Sequence, residues 1–320
     1  MTIAKTPIYF DTDLGIDDSM ALAYLLATPE VEIKGIGTVS GNCSAEQAAR
    51  NTLDLLAVAA RLDIPVAVGC HDWLVHPFDG GSPDVHGSDG IGGVELPTAA
   101  AEPVDETAVD MLIRLAHEHS GALRVLAVGP YTNLAAALRK DPTITGLVDR
   151  VVVMGGAARA PGNMTPAAEA NIFHDPEAAA VVFAAPWPIT MLGLDVTMDH
   201  VFEESDRLVL TESDRPVAAA IAAMMKEYGN FYASVYGRPA VALHDPLAAA
   251  AACDQLVYVS APIVQVVVDD TDGPGRGQTI ADLRGRFRNF PEQPGAHVQV
   301  VLELDRPFAP MLLDRILSLK

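Results

Sequence analysis

Asp11-Thr12-Asp13-Leu14-Gly15-Ile16-Asp17-Asp18 places four carboxylates within eight residues, directly behind the apolar run Ile8-Tyr9-Phe10. Clustered carboxylates repel and raise one another's pKa values, so the stretch is a poor device for stability. A divalent cation lodged among them relieves the repulsion, and hard cations such as Ca²⁺ or Mg²⁺ favour oxygen ligands. Most acidic runs are solvated faces. This one is followed at once by Met20-Ala21-Leu22-Ala23-Tyr24-Leu25-Leu26, so it interrupts an apolar stretch. It therefore reads as a strand-to-helix junction, where ligands gather in α/β sheets. The stretch is read as a metal site.

Working outward, short β-rich runs alternate with helical patterns, the signature of βαβ units. Strands are expected at Ile8–Phe10, Ile33–Val39, Pro65–Val68, Arg124–Val128, Val151–Met154 and Ile189–Leu194. Helices are expected near Ser19–Thr28, Ala45–Arg61, Glu106–His119, Asn133–Lys140 and Pro176–Ala184, with a long one from Arg215 to Tyr236 and another from Asp245-Pro246. Ser44 with Gln47 forms a capping box for the second helix, and Asp105 caps the third. The tail adds β-like Pro262–Val268 and Val298–Leu304, then a helix from Pro307. The fold class is α/β, a doubly wound, mainly parallel central sheet flanked by helices. No repeat or Ser/Gly linker divides the chain, so residues 1–320 read as one domain. The Gly- and Pro-rich segment from His71 to Pro103 is a long loop of the kind that serves as a lid.

Polar groups recur just beyond the strands, where open α/β sheets bind ligands. The first strand leads to Asp11 and Asp13, the second to Gly41-Asn42, and Leu126-Ala127-Val128 to Gly129-Pro130-Tyr131-Thr132-Asn133. Val151–Met154 leads to Gly155-Gly156 and then to Asn163, Glu169 and Asn171, while Ala240–Leu243 leads to His244-Asp245. One Asn after a strand is a turn residue or a cap. Five such arrivals imply a shared polar cleft.

Bulk properties exclude several classes of function. The formal net charge of −21 disfavours phosphate backbones and anionic membranes, so neither a nucleic acid nor a membrane is expected as partner. Half of the chain is hydrophobic, enough for a sizeable core. Met1–Pro7 lacks an apolar signal core, and no run of about eighteen apolar residues suggests a span. Cys43, Cys70 and Cys253 have no CxxC spacing and fit reduced thiols, so a cytoplasmic location is expected.

Motif tests narrow the chemistry. An EF-hand loop starting at Asp11 needs Gly and Glu where Ile16 and Leu22 stand. A dehalogenase-type phosphatase also opens with Asp-x-Asp, but Gly15 departs from its pattern and lysine is scarce. No Walker-type Gly-Lys-Ser/Thr is present, and Gly35-x-Gly37 lacks the dinucleotide spacing. Phosphate chemistry loses.

The hallmark Asp11-Thr12-Asp13-x-Gly15-x-Asp17-Asp18 resembles that of the nucleoside hydrolases, the inosine-uridine-preferring nucleoside N-ribohydrolases. The resemblance continues through Gly41-Asn42, Val128-Gly129-Pro130-x-Thr132-Asn133, Met154-Gly155-Gly156, Gly162-Asn163-x-Thr165-Pro166-Ala167-Ala168-Glu169-x-Asn171 and Asp175-Pro176-Glu177-Ala178. It extends through Leu243-His244-Asp245-Pro246-Leu247-Ala248 to Arg276-Gly277-Gln278-Thr279 with Asp282, Arg284 and Gly285. Leu14 stands where many members have Pro, and Ala170 where many have an aromatic, which removes a stacking wall for the base.

This resemblance implies hydrolysis of the N-glycosidic bond of ribonucleosides to base and ribose by a calcium-bound water. It implies Asp13, Asp18, Asp245 and the Val128 carbonyl as Ca²⁺ ligands, with Asp13 also the general base. Asp17, Asn42, Asn163, Glu169 and Asn171 are the implied ribose contacts. The residue types are coherent with this, because carboxylate and amide oxygens stabilise an oxocarbenium-like ribosyl ring. Family members are commonly oligomers, so a homodimer or homotetramer is expected. The alternative from another class is a non-catalytic, metal-dependent nucleoside- or sugar-binding protein, which would not need a base beside the metal.

Two histidines compete to activate the leaving base. His86 lies in the long loop and resembles the base-proximal histidine of nonspecific members, while His244 adjoins Asp245. Imidazole suits the task because its ordinary pKa is near neutrality. The plain readings are an exposed loop residue for His86 and a structural neighbour of the metal segment for His244. Tyr228, Phe231, Tyr232 and Tyr236 recur at helical spacing, mostly as core, with one or two free to face the base. Trp73 is a further candidate from the loop. The other histidines, His174 among them, are expected at the surface or in local hydrogen bonds.

Overall fold

The computed structural model describes residues 5–319; Met1–Ala4, part of the N-terminal stretch read above, and Lys320 lie outside the described residues. Eight strands form the central sheet: β1 (Thr6–Thr12), β2 (Val31–Thr38), β3 (Val66–Val68), β4 (Leu123–Ala127), β5 (Val148–Met154), β6 (Ile189–Leu192), β7 (Ile263–Val264) and β8 (Val298–Val301). Their order is β7-β8-β6-β5-β4-β1-β2-β3, and every pairing is parallel except that of β7 with β8.

Period-two alternation along β1 explains the layers. Ile8 and Phe10 join one apolar cluster while Tyr9 joins the other, all at 0% exposure. On the Ile8 side pack α1 (Ile16–Leu26), α2 (Ala45–Val58), α6 (Pro216–Tyr236), α7 (His244–Ala252) and α8 (Ala309–Ser318). On the Tyr9 side pack α3 (Ala108–Glu118), α4 (Thr132–Lys140) and α5 (Pro176–Ala184). The chain leaves β1 toward β2 on one side and later returns to β4 on the other. The order therefore reverses at the β1–β4 boundary, where such sheets open a crevice at their carboxyl ends.

Four expectations need correction. Ala240–Ala242 is a strand but not part of the central sheet; it pairs antiparallel with Val201–Glu203. Only four of the five polar arrivals thus leave central strands, and His244-Asp245 reaches the cleft as the start of α7. Thr107, not Asp105, caps α3, accepting from the Asp110 N–H at 3.1 Å. The tail runs are also broken. Val266–Val268 leaves the central sheet to pair with Thr279–Ala281, and Glu303–Leu304 pairs with Tyr258–Ser260. Ser44 does cap α2, but the Gln47 side chain turns to Asn51 and leaves the box half made.

Candidate active site

The helix after β1 starts earlier than its apolar run suggests, at Ile16, so Asp17 and Asp18 occupy its first turn. Carboxylates are favoured there by the helix dipole and the unpaired N–H groups. Asp18 accepts from the Gly15 N–H at 2.8 Å and from the Thr12 hydroxyl. Gly15 permits the crowding: a Cβ there would sit 2.4 Å from Asn42 Nδ2 and 2.7 Å from His86 Nδ1. Asn42 ties the group together, donating its backbone N–H to Asp13 at 2.7 Å and its side-chain amide to Asp18 at 3.2 Å.

Asp17, Asp18 and Asp245 each offer an oxygen within 4.8 Å of the others, and all are buried. Burial, the Asp18 charge and Asp17 push the Asp13 carboxyl well up. Burial and then Asp18 push Asp17 to about 8, and burial with Asp17, Asp18 and Asp13 raises Asp245. Asp13 Oδ1 is buried and has no hydrogen-bond partner. An all-oxygen set with mutual repulsion and an orphaned lone pair fits a hard cation. The Val128 carbonyl at the end of β4 is held by Asn171 Nδ2 at 2.7 Å, which orients it on the same crevice.

Above this floor lies a cavity of about 690 Å³. Asp17, Asn42, Asn163, Glu169 and Asn171 all line it, as do Val128, His86, His244 and Asp245. These residues, widely separated in sequence, line one space, although their exposures differ. Glu169 is 2% exposed and caps the short helix Ala170–His174, accepting from the N–H groups of Asn171 at 2.9 Å and Ile172 at 3.2 Å. It also takes the Gly156 N–H at 2.9 Å, and burial still raises it to about 7. Asn163 is exposed on the rim, its side-chain oxygen accepting from the Ala170 N–H.

Aromatic and imidazole rings close the far end. His86 belongs to a short helix, Pro83–His86, and is 6% exposed, so the reading as an exposed loop residue fails. Its Nδ1 accepts from the Ile16 N–H at 3.1 Å and lies 4.0 Å from Asp17, while its ring packs 5.2 Å from that of Tyr228. Burial, with His244 and His174 nearby, holds its pKa down to about 3. Burial holds His244 to about 4. His244 is bonded at both nitrogens, to the Tyr232 hydroxyl at 2.5 Å and to Thr197 Oγ1 at 2.7 Å. Tyr228 donates to Asp17 at 3.0 Å. Tyr228, Phe231 and Tyr232 line the cavity and Tyr236 does not. Trp73 is not a base contact; it stacks on His174 with centroids 5.1 Å apart. His174 is itself buried, against the surface reading.

Several supporting residues had no role assigned from the sequence, although Asn133 and Thr279 stand in the quoted motifs. Asn133 donates to Asp11 at 3.0 Å and to the Thr38 carbonyl at 2.9 Å, stitching β1 to β2 under the carboxylates. Asp195 accepts three backbone N–H groups from Ala158, Arg159 and Ala160. Thr279 grips Ala157, accepting its N–H at 2.8 Å and donating to its carbonyl at 2.9 Å. Thr197 was invisible because its role is fixed only by where His244 lands.

A buried cluster of carboxylates at a sheet crevice, beneath a cavity walled by amides and rings, is a site that could hold a metal ion beside a small polar ligand. Residues 8–309 match the family model described as inosine-uridine preferring nucleoside hydrolase. A probable uridine nucleosidase 2 of Oryza sativa subsp. japonica is 38% identical over 282 residues, covering 86% of this chain and 82% of its own. A plant nucleoside hydrolase structure superposes with a TM-score of 0.90 at 34% identity, over 99% of this chain and 100% of that one. A purine-preferring ribonucleoside hydrolase from Gardnerella vaginalis gives 0.88 at 32% identity, over 98% and 97%. The chain belongs to the inosine-uridine preferring nucleoside hydrolase family, whose members are metal-dependent, and it is an N-ribohydrolase.

Proposed function

We propose that the protein cleaves ribonucleosides to free base and ribose with Ca²⁺ as cofactor, held by Asp13, Asp18, Asp245 and the Val128 carbonyl. The observation that carries this is the set of buried carboxylates with raised pKa values at the floor of a cavity of about 690 Å³. A bound divalent cation supplies charge that makes water nucleophilic near neutral pH. Asp13, with an oxygen free of other partners, takes the proton from the attacking water. Asn42 holds Asp13 and Asp18 in place for that step. Asp17, Asn42, Asn163, Glu169 and Asn171 engage the ribose, their oxygens stabilising the oxocarbenium-like ring as the base departs.

The leaving base takes its proton from the Tyr232 hydroxyl; the phenolate that results accepts a hydrogen bond from neutral His244 and is reprotonated by solvent once the base has left. We assign the contact between Thr197 Oγ1 and Nδ1 as donation by the hydroxyl, so that Nε2 carries the proton facing the tyrosine oxygen. A neutral His244 is the form its low pKa provides. His86, fixed by the Ile16 N–H, is a contact from the long loop and not the donor. Among the described residues no helix is long and apolar enough to cross a membrane. Three free cysteines and the net charge of −21 support a cytoplasmic enzyme acting on small neutral nucleosides without nucleic-acid partners. The test is ribose release across the common nucleosides, with and without chelator. Turnover of uridine or inosine that stops on chelation and returns with Ca²⁺ is expected. Binding without ribose release would leave the non-catalytic alternative, and phosphate release from nucleotides would refute the substrate class.

A further inference from the structure

Five of the side chains lining the cavity are carboxylates, Asp17, Glu169, Asp195, Asp199 and Asp245, and among its lining residues Arg159 is the only lysine or arginine. Backbone and side chain both fix its place. The chain turns after β5, and the N–H groups of Ala158, Arg159 and Ala160 converge on the Asp195 carboxylate at 2.7, 2.6 and 3.1 Å. The Asp195 side chain is 1% exposed, and Arg159 Nε stands 3.5 Å from it. Nη2 donates to the Leu302 carbonyl at 3.1 Å, and Nη1 keeps no hydrogen-bond partner among the described residues. A guanidinium carries five N–H donors and no acceptor, so the group it can take from the cavity is an acceptor.

Charge decides what kind of acceptor. Asp195 already balances the cation, and the other carboxylates face the same space, so an anion such as phosphate meets net repulsion. A neutral carbonyl oxygen does not. Position decides where on the substrate that oxygen lies. Asp195 belongs to the short helix Leu194–Thr197, whose Thr197 hydroxyl meets His244 Nδ1 at 2.7 Å, and His244 in turn meets the Tyr232 hydroxyl. The wall carrying Arg159 is thereby tied to the ring-walled end of the cavity, where the base departs. The side chain is long and 45% exposed, so it can follow the oxygen of a one-ring or a two-ring base.

We propose that Arg159 is a specificity-determining residue that donates to a ring carbonyl oxygen of the base, the C4 oxygen of uracil or the C6 oxygen of hypoxanthine. It rests on the reading that places the leaving base against Tyr232. Cytosine and adenine present an amino group at that position, so a donor meets a donor and both stay unpaired. When the C1′–N bond breaks, its electron pair passes into the base ring and gathers partly on the carbonyl oxygen. The contact with Arg159 therefore strengthens as the bond breaks, while the proton still comes from Tyr232.

Steady-state kinetics on two matched pairs, uridine with cytidine and inosine with adenosine, test it. The wild type should favour the keto member of each pair by at least about tenfold in kcat/KM. Arg159→Gln, whose amide both donates and accepts, should bring both ratios to within about threefold of unity, chiefly through a lower kcat on the keto substrates. Arg159→Lys keeps a charged donor but gives up the planar fork that grips Leu302, and it should hold both ratios above about fivefold. A wild type indifferent to the two pairs, or an Arg159→Gln enzyme that keeps its ratios, overturns the proposal and leaves the hydrolase standing. Ratios that collapse as far in Arg159→Lys as in Arg159→Gln assign the effect to the wall and overturn it too. Absence of ribose release from all four nucleosides in the wild type would sink the catalytic reading itself, and this assignment with it.

Discussion

Replacing Thr279 with valine keeps the shape of a 2% exposed side chain and removes one hydroxyl. That hydroxyl serves the N–H and the carbonyl of Ala157 at 2.8 and 2.9 Å, so both backbone groups lose a buried partner. Each such loss costs about 1–3 kcal/mol, and roughly 2–4 kcal/mol is expected in total once the hydroxyl's own desolvation is recovered. For a chain of this size that lowers Tm by about 3–6 °C. Function is touched as well. Ala157 adjoins Gly156, whose N–H is bound by Glu169, and Glu169 in turn sets the helix carrying Asn171. A small shift of this wall should cost about ten- to a hundredfold in kcat/KM, equally for purine and pyrimidine nucleosides. Thr279→Ser should restore most of both losses. Thermal melts and steady-state kinetics on the two variants decide it: Thr279→Val with unchanged Tm and unchanged kcat/KM would refute the buttress.

Two further outcomes follow from the site. His244→Ala and Tyr232→Phe should slow natural nucleosides by at least about a hundredfold while sparing a nitrophenyl riboside, whose leaving group departs as an anion; His86→Ala should not show that split. Equal losses on both substrates would remove the assignment of Tyr232 as proton donor. Chelated protein should melt lower at pH 8 than at pH 6.5. Asp17 at about 8, Asp11 and Glu169 at about 7, and the raised Asp13 and Asp245 keep protons that the unfolded chain has already lost, so stability falls as pH rises through that window. The depressed histidines act in the opposite sense, but only below their ordinary value of 6.5. Ca²⁺ should narrow the difference by neutralising the carboxylates it touches; a chelated protein at least as stable at pH 8 would contradict the assignment.

The parallel sheet was legible because its strands are continuous apolar runs, and the acidic stretch because charge interrupts such a run. The carboxylates, amides and two histidines singled out for the site line the cavity or lie buried beside it, whereas Trp73 and Tyr236 do not reach it. What escaped was set by tertiary position. Ala240–Ala242 has the composition of a central strand, yet its partner is Val201–Glu203, a choice made by where α6 ends. Asp105 and Thr107 are both competent caps, and only the first turn of the helix selects between them. His86 looked like loop because its burial comes from α1 and Tyr228, distant in sequence. Thr197 and Thr279 act through single hydroxyls on partners 47 and 122 residues away, which leaves no local pattern.

Asp18 and Asp245, which lie within reach of one ion, are separated by most of the chain. Closing so long a loop costs entropy that local contacts cannot repay, so these oxygens come together only when α7 docks beside α1. The carboxylate site is therefore expected to form late in folding. Neither a nascent N-terminal half nor a partly unfolded chain presents it. A cation that binds only the finished arrangement stabilises the native state by mass action without rescuing intermediates. A cation bound there would lengthen the life of the folded molecule and leave the rate at which it first forms untouched.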